Sequence, residues 1–219
     1  SIRDNTLAGK ISLVCEIKKA SPSKGILKEI FDVSKIAKEY SAAGATCISV
    51  LTDTPSFMGS KEDLGIARNS SPLPLLRKDF FIDPYQVFET KYLGGDCILI
   101  ILSMLSDSQA RELYQTAQEI ELDSIFEVHN ENEFERALSM NAKLIGINNR
   151  NLHTFETDIR TTVNLAPKFS DELIIISESG IYNNTQIKML REKNVNAFLV
   201  GESIIKSDNM TKAIQDLLD

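Results

Sequence analysis

Residues 11–25 read ISLVCEIKKASPSKG, an apolar run that ends in charged residues and a polar turn. Glu16 and Lys18 are two positions apart, so on a strand their side chains point to the same face. Because a lone charge in a dry interior is costly, these opposite charges are expected to pair. The Ser, Pro, Ser and Gly that follow favour a turn with hydroxyls and backbone amides available. The stretch indicates either a strand end that binds a polar anion or a solvated strand end with a surface salt bridge.

Apolar runs of this kind recur along the chain and alternate with amphipathic helical patterns. The predicted strands are rich in Ile, Leu and Val, which is typical of buried parallel strands; they cover residues 12–17, 47–51, 73–77, 97–102, 124–128, 144–147, 173–176 and 197–200. Helices are predicted at 33–43, 61–69, 85–93, 107–120, 131–140, 158–165 (ahead of Pro167), 185–193 and 207–218. Eight β-then-α units without a linker favour one α/β domain over residues 1–219, a (β/α)8 TIM barrel with a short N-terminal extension. A doubly wound sheet fits less well, because it usually has fewer strands.

The composition is that of an ordinary globular protein. Of the 219 residues, 42% are hydrophobic and 25% are charged, with a formal net charge of −7. This acidic balance disfavours nucleic-acid binding, and no apolar stretch reaches the roughly 18–20 residues that span a bilayer. Cys15, Cys47 and Cys97 lie in or beside apolar runs, without Cys-x-x-Cys spacing and with only two histidines in the chain. We therefore expect reduced core thiols in a cytoplasmic protein, with no disulfide and no zinc site.

Polar residues follow every predicted strand. In a (β/α)8 barrel the active site lies at the C-terminal ends of the strands, so these residues are expected to meet at one mouth. The N-terminal strand ends are much plainer, and a complete ring of polar ends is hard to explain by solvation alone. In chain order the ring is Glu16 and Lys18; Thr52 and Asp53; Arg77, Lys78 and Asp79; Ser103; Glu127 and His129; Asn148, Asn149 and Arg150; Ser177 to Gly180; and Gly201 to Ser203.

Glycine turns follow both the seventh and the eighth predicted strand, at residues 179–180 and 201–203. Barrels often bind a phosphate there on backbone amides, and glycine allows the anion to approach closely. One such glycine would be explained by turn geometry, whereas two at matched positions favour a phosphate site. Lys18 and Arg150 could supply the opposite charge. Glu202 would repel an anion, so its side chain is expected to turn away and leave only its amide at the site.

Short blocks at these strand ends resemble one known family. They are EIKKASPSKG at 16–25, LRKDF at 76–80, FEVH at 126–129, IGINNRNL at 145–152, SESGI at 177–181 and FLVGE at 198–202. The blocks occur in the family's order from near the start to near the end of the chain, and the first is specific by itself. On these residues the chain resembles the indole-3-glycerol-phosphate synthases of tryptophan biosynthesis.

The resemblance implies a reaction and its requirements. Members of the family close the pyrrole ring of 1-(2-carboxyphenylamino)-1-deoxyribulose 5-phosphate and release carbon dioxide, water and indole-3-glycerol phosphate, without metal or organic cofactor. An acid must protonate the ribulose carbonyl while the aromatic carbon attacks it. A lysine can do so near neutral pH if burial or neighbouring cations lower its pKa.

The resemblance also implies roles for residues of this chain. Lys78 matches the lysine acid, Glu127 matches a carboxylate with acid–base duty, and Glu16 matches a group that stabilises the anilinium charge and exchanges protons. Lys18 matches the partner of the substrate carboxylate, and Asn148 matches the residue that orients a substrate hydroxyl. The remaining matches are substrate or phosphate positions, namely Ser21, Arg150, Glu178, Ser179, Gly180, Gly201 and Glu202. Ser103 and His129 are expected only to support the site.

Two alternatives come from other functional classes. A phosphoribosylanthranilate isomerase would have no use for a cation that faces an anthranilate carboxylate, and a non-catalytic barrel would be expected to lack the catalytic groups that are present here. We also expect a monomer that binds a phosphorylated small molecule and binds neither nucleic acid nor a membrane. Fusion to other tryptophan-pathway enzymes, or work beside them, is left open. Family members usually carry a longer N-terminal segment that covers the mouth; fifteen residues precede Glu16 here, which puts substrate affinity in question.

Overall fold

The computed structural model describes residues 2–152, 154–166 and 173–219. Eight parallel strands form a closed barrel in the order β1-β10-β9-β8-β7-β6-β5-β4, and a separate hairpin joins β2 to β3. The strands are β1 (Ser12–Ile17), β2 (Ala20–Ser21), β3 (Gly25–Ile26), β4 (Cys47–Leu51), β5 (Leu75–Lys78), β6 (Cys97–Ile101), β7 (Asp123–Val128), β8 (Leu144–Asn148), β9 (Ile174–Glu178) and β10 (Ala197–Val200). The predicted (β/α)8 barrel is therefore confirmed.

The predicted strand bounds hold for 12–17, 47–51 and 197–200, and the other five differ by one or two residues. The third barrel strand begins after Pro74, which has no N–H to donate to a ladder. The seventh runs through Ser177 to Glu178, because Glu178 still pairs with Asn148 in β8. The sixth and seventh strands were predicted to end at their last apolar residue, whereas the ladder continues into the polar residues Asn148 and Glu178 of the mouth.

Helices surround the barrel and cover its outer face. They are α1 (Ile2–Leu7), α2 (Val33–Ala43), α3 (Thr54–Phe57), α4 (Lys61–Ser70), α5 (Pro84–Tyr92), α6 (Asp107–Glu119), α7 (Glu131–Ser139), α8 (Arg160–Leu165), α9 (Asn184–Arg191), α10 (Glu202–Ile205) and α11 (Met210–Leu218). None of these helices within the described part of the chain is long and apolar enough to cross a membrane.

Side-chain caps explain where several helices begin. The carboxylate of Asp32 accepts a hydrogen bond from Lys35 N, as predicted for the start of α2. The last helix begins later than predicted, because Asn209 rather than Ser207 caps it. Helix α8 likewise begins two residues later than predicted, and Pro167, which was expected to end it, lies outside the described residues. The short elements α1, α3, α10 and the β2–β3 hairpin were not predicted.

The cysteines pack in or beside the core as free thiols. Cys15 is buried in β1, while Cys47 and Cys97 are half-buried at the start of β4 and β6. Burial raises the pKa of all three thiols, that of Cys47 to about 11, so they stay protonated near neutral pH.

Candidate active site

The C-terminal ends of the barrel strands open into one cleft, and most of the predicted site residues line it. They are Glu16, Lys18, Lys78, Glu127, Asn148, Arg150, Glu178, Ser179, Gly180, Gly201 and Glu202. Ser21 lies in the β2–β3 hairpin and does not line the cleft of the free protein, so its role in substrate binding stays a prediction. Its hydroxyl is buried without a hydrogen-bond partner among the described residues.

Lys78 ends β5 and places its ammonium between two buried carboxylates. Its Nζ lies 3.0 Å from Glu127 Oε2 and 3.4 Å from Glu178 Oε2. Only the contact with Glu127 has hydrogen-bond geometry. Although burial opposes the charge, the carboxylates of Glu127 and Glu178 raise the pKa of Lys78. A lowered pKa, the condition under which a lysine acts as an acid near neutral pH, is not met in the free site, because the charged groups that contact Lys78 are anions.

The two carboxylates beside Lys78 have opposite pKa shifts. Burial disfavours a charge on Glu127, but the Lys78 ammonium and the His129 ring beside it hold its pKa well below the usual range. Burial dominates at Glu178 and raises its pKa to about 8. Both Glu178 oxygens also lack a hydrogen-bond partner among the described residues. Near neutral pH the cluster therefore contains an ammonium, an ionised Glu127 and a protonated Glu178, which provides both a base and two acids.

A second ion pair lines the same cleft. Lys18 Nζ is 2.5 Å from Glu16 Oε2, so the pairing predicted from their spacing is confirmed. Both side chains are largely buried, with 14% of Lys18 and 5% of Glu16 exposed. The pair is thus a partly desolvated charge pair and not the surface salt bridge of the alternative interpretation.

Two glycines make room for the carboxylates. A Cβ at Gly146 in β8 would overlap the carboxylate of Glu178, and one at Gly201 after β10 would overlap that of Glu16. The neighbouring strand must therefore lack a side chain at each of these positions. Gly201 was predicted as part of a phosphate site. In the free protein its missing side chain makes room for the carboxylate of Glu16.

The turn after β9 has an unusual backbone. Ser179 and Gly180 both have positive φ, 65° and 76°. The carbonyl of Ser179 accepts a hydrogen bond from Asn149 Nδ2 at 3.0 Å, and the carbonyl of Gly180 accepts one from Gln186 Nε2 at 3.2 Å. Within the described residues, the N–H groups of Ser179 and Gly180 donate to no protein acceptor. The two carbonyls of the turn are thus fixed by hydrogen bonds from side chains, while its two N–H groups are available to bind an anion.

Arg150 and Glu202 meet at the rim of the cleft. Arg150 Nη2 is 3.9 Å from Glu202 Oε2, and Nη1 donates to Ser23 Oγ at 3.0 Å. Lys206 binds the other oxygen of Glu202 at 2.9 Å. A cation thus lies on each side of the Glu202 carboxylate, and the expectation that this side chain turns away from a bound phosphate stays a prediction.

Comparison with known proteins identifies the family of this barrel. The family model described as indole-3-glycerol phosphate synthase matches residues 2–217. Curated proteins of that name are similar over nearly the whole chain: that of Legionella pneumophila strain Lens is 47% identical over 94% of this chain and 80% of its own length. The one from Polaromonas naphthalenivorans is 46% identical over 99% of this chain and 82% of its own length. The chain belongs to the indole-3-glycerol phosphate synthase family.

Solved structures of more distant proteins share the fold of this synthase family. A thiamine phosphate pyrophosphorylase from Pyrococcus furiosus superposes with a TM-score of 0.65 over 95% of this chain and 93% of its own, at 13% identity. A mandelate oxidase superposes with a TM-score of 0.70 over 95% of this chain and 71% of its own, also at 13% identity. At such low identity these likenesses support the barrel and nothing more specific.

The cleft of this synthase also contains residues that the sequence reading did not single out. Apolar and aromatic side chains form one wall, and the rings of Phe57 and Phe80 lie 6.4 Å apart there. Leu152 and Tyr182 contribute to the same lining. These residues lie on loops or on the unpredicted helix α3, so no strand end marked them. Among the described residues, no group of three or more His, Cys, Asp or Glu side chains is arranged to hold a metal ion.

Proposed function

We propose that Lys78 is the acid and Glu127 the base of the reaction that defines this family. That reaction converts 1-(2-carboxyphenylamino)-1-deoxyribulose 5-phosphate to indole-3-glycerol phosphate, carbon dioxide and water. As a member of the family, the chain is a carboxy-lyase of tryptophan biosynthesis. The observation that supports the assignment is the Lys78 ammonium between Glu127 and Glu178, whose pKa values are shifted in opposite directions.

The protons of the reaction can be assigned to the groups of this cluster. In the ring closure, the aromatic carbon that bears the carboxylate bonds to the ribulose carbonyl carbon, and Lys78 gives a proton to the carbonyl oxygen. Loss of carbon dioxide then restores the aromatic ring. In the dehydration, Glu127 takes a proton from the methylene carbon next to nitrogen, and protonated Glu178 gives one to the departing hydroxyl. Two protons are given and one is taken, which balances the conversion of a carboxylate to carbon dioxide.

The remaining groups are proposed to bind and orient the substrate. Lys18 pairs with the substrate carboxylate, and Glu16, which Lys18 already contacts, stabilises positive charge on the aniline nitrogen. Asn148 fixes a hydroxyl of the ribulose chain, and its side-chain oxygen Oδ1 accepts a hydrogen bond from Arg150 N at 3.0 Å. The aromatic ring lies against the wall that Phe57 and Phe80 form.

The phosphate is proposed to bind on the backbone of the last two barrel turns, at residues 179–180 and 201–202. The free amides of Ser179 and Gly180 support this site. Arg150 lies at its edge and would exchange its long contact with Glu202 for the phosphate. We also propose that the chain works as a monomer in the cytoplasm, which size-exclusion chromatography with light scattering tests for the oligomeric state.

Turnover of the carboxyphenylamino-deoxyribulose phosphate, followed by the fluorescence of the indole product, tests the assignment. The parent chain should turn over this substrate and leave phosphoribosylanthranilate unchanged. Glu127→Gln should lower kcat about 100-fold or more while KM changes far less, because a proton-transfer group acts mainly in the transition state. A rise in KM with unchanged kcat would make Glu127 a binding residue.

A further inference from the structure

His129 follows β7 and lies largely buried against the carboxylate of Glu127. Its Nε2 is 3.4 Å from Glu127 Oε1, while Lys78 contacts the other oxygen, Oε2, at 3.0 Å. The contact of Nε2 is too long or too bent for a hydrogen bond in the free protein. Each oxygen of Glu127 nevertheless faces a different basic group, and only one of the two, Lys78, is proposed to act on the substrate.

The carboxylate of Glu133 contacts the other nitrogen of the His129 ring, on the side away from Glu127. His129 Nδ1 is 3.1 Å from Glu133 Oε2, and the same oxygen accepts a hydrogen bond from His129 N at 2.8 Å. The other oxygen of Glu133 accepts one from Asn130 Nδ2 at 2.7 Å. Glu133 is 9% exposed and lies in the first turn of α7, the helix that Asn130 caps. Helix capping alone accounts for the bonds from Asn130 and the backbone, but not for the contact with the imidazole.

We infer that His129 is a positioning residue, held by Glu133, that keeps Glu127 ionised and aimed when Lys78 turns to the substrate carbonyl. The inference rests on the proposed role of Glu127. Lys78 must leave Glu127 to donate to the carbonyl oxygen, and a buried carboxylate that loses its cation tends to take up a proton. An imidazolium on the second oxygen prevents this.

The charges around the ring are consistent with an imidazolium. Glu127 from β7 and Glu133 from α7 face it directly, while Lys78 and the protonated Glu178 lie beyond Glu127. Burial opposes the charge, but the neighbouring carboxylates of Glu127 and Glu133 raise the pKa of His129 to about 9. The ring is therefore charged near neutral pH and places a positive charge beside each carboxylate.

A double-mutant cycle with indole fluorescence as the readout tests the inference. His129→Gln should lower kcat about 10-fold with KM within about twofold, and should move the acid limb of the kcat profile up by about one pH unit. Glu133→Gln, which leaves the ring in place, should move the limb in the same direction by less.

In the Glu127→Gln background, His129→Gln should change kcat by less than about twofold, because both act through the same carboxylate. Glu135→Gln is the matched control, an exposed glutamate on the same helix, and should change nothing.

The outcomes separate this inference from the proposed role of Glu127. If Glu127→Gln leaves kcat intact, the proposed base is wrong and the inference falls with it. If Glu127→Gln lowers kcat but His129→Gln costs the same factor in both backgrounds, or leaves the acid limb in place, only the positioning role is overturned. Circular dichroism and the Tm of each variant establish that the comparison is made between folded proteins.

Discussion

Arg77 and Lys78 are adjacent in β5 but belong to two different charge clusters. Arg77 is fully buried against α5, and every nitrogen of its guanidinium donates a hydrogen bond. The guanidinium also lies 5.4 Å from the centre of the Phe81 ring. Its acceptors are Thr52 Oγ1, Asp79 Oδ2, Gln86 O, Glu89 Oε2 and Thr90 Oγ1.

Lys78 points to the other side of the strand, into the cleft, and its cluster is incomplete. Neither oxygen of Glu178 accepts a hydrogen bond from the described residues, although the carboxyl is buried. Buried polar groups are normally satisfied, and exceptions need a reason. The saturated cluster of Arg77 can only hold α5 to the barrel, whereas the unsaturated cluster of Lys78 has hydrogen-bonding capacity left for a substrate. Charged neighbours are present in both clusters and do not distinguish them. The difference is that the Arg77 cluster has its hydrogen bonds satisfied, as a structural cluster does, while the Lys78 cluster has unsatisfied oxygens that a substrate can use.

Lys78→Ala is expected to have the largest effect of all the variants, a loss of turnover, because it removes the ammonium from the incomplete cluster. Loss of a general acid should lower kcat about 100- to 10,000-fold or more, because no other ammonium contacts Glu127 or Glu178 among the described residues. The fold should persist, because His129 remains beside the carboxylate of Glu127 when Lys78 is removed. Indole fluorescence gives the rate and thermal unfolding gives the stability. A rate within a few-fold of the parent would exclude Lys78 as the acid.

Arg77→Met should have the opposite effect, a large loss of stability with little loss of turnover. Removing the guanidinium leaves Asp79 and Glu89 without their shared buried partner, which should cost about 3–5 kcal/mol of the free energy of unfolding. Urea unfolding followed by circular dichroism measures this loss. At a temperature where the variant is folded, turnover per folded molecule should stay close to that of the parent. If turnover falls as far as in Lys78→Ala while the urea midpoint is unchanged, the division between the two clusters is wrong.

The sequence predicted the barrel and the ring of polar strand ends, but not this division. Arg77 and Lys78 were read together as the polar end of the third predicted strand, although alternation along a strand sends adjacent side chains to opposite faces. Ser21 was predicted from its motif alone, because the short β2–β3 hairpin that contains it has no hydrophobic period from which the sequence could predict its place. The apolar wall of Phe57 and Phe80 is formed by the short helix α3 and the loop after β5, whose paths depend on tertiary packing and not on local pattern.

Gly146→Ala tests a smaller effect on the side of Lys78. The added methyl group would overlap the carboxylate of Glu178 and displace it from Lys78, which should lower kcat about 10- to 100-fold through misplacement alone. Gly65 in α4 is the matched control, because a Cβ there meets no atom within 4 Å. Gly65→Ala should leave kcat unchanged and raise the free energy of unfolding by about 0.5–1 kcal/mol. Equal kinetics for the two variants would mean that the position of Glu178 is unimportant for turnover.

The smallest expected effect is a loss of stability with rising pH that arises beside the cleft. The guanidinium of Arg77 stays charged throughout the accessible range, and although burial opposes it, the hydrogen bonds from Lys61 and Arg77 lower the pKa of Glu89, so the stability from that cluster is lost only as the pH falls. The pKa of His129 rises from 6.5 to about 9 in the folded protein. The stabilisation is therefore complete below pH 6.5 and is lost as the pH rises through about 9. The raised pKa of Glu178 acts in the same direction between 4.5 and about 8, so the parent alone does not isolate the histidine. The histidine is isolated by the difference in the free energy of unfolding between the parent and His129→Gln. Urea unfolding at several pH values should show this difference shrinking by on the order of 1 kcal/mol as the pH is raised. A difference that is constant with pH would mean that the ring is neutral in the folded protein, and that Lys78 is the sole cation holding Glu127 ionised.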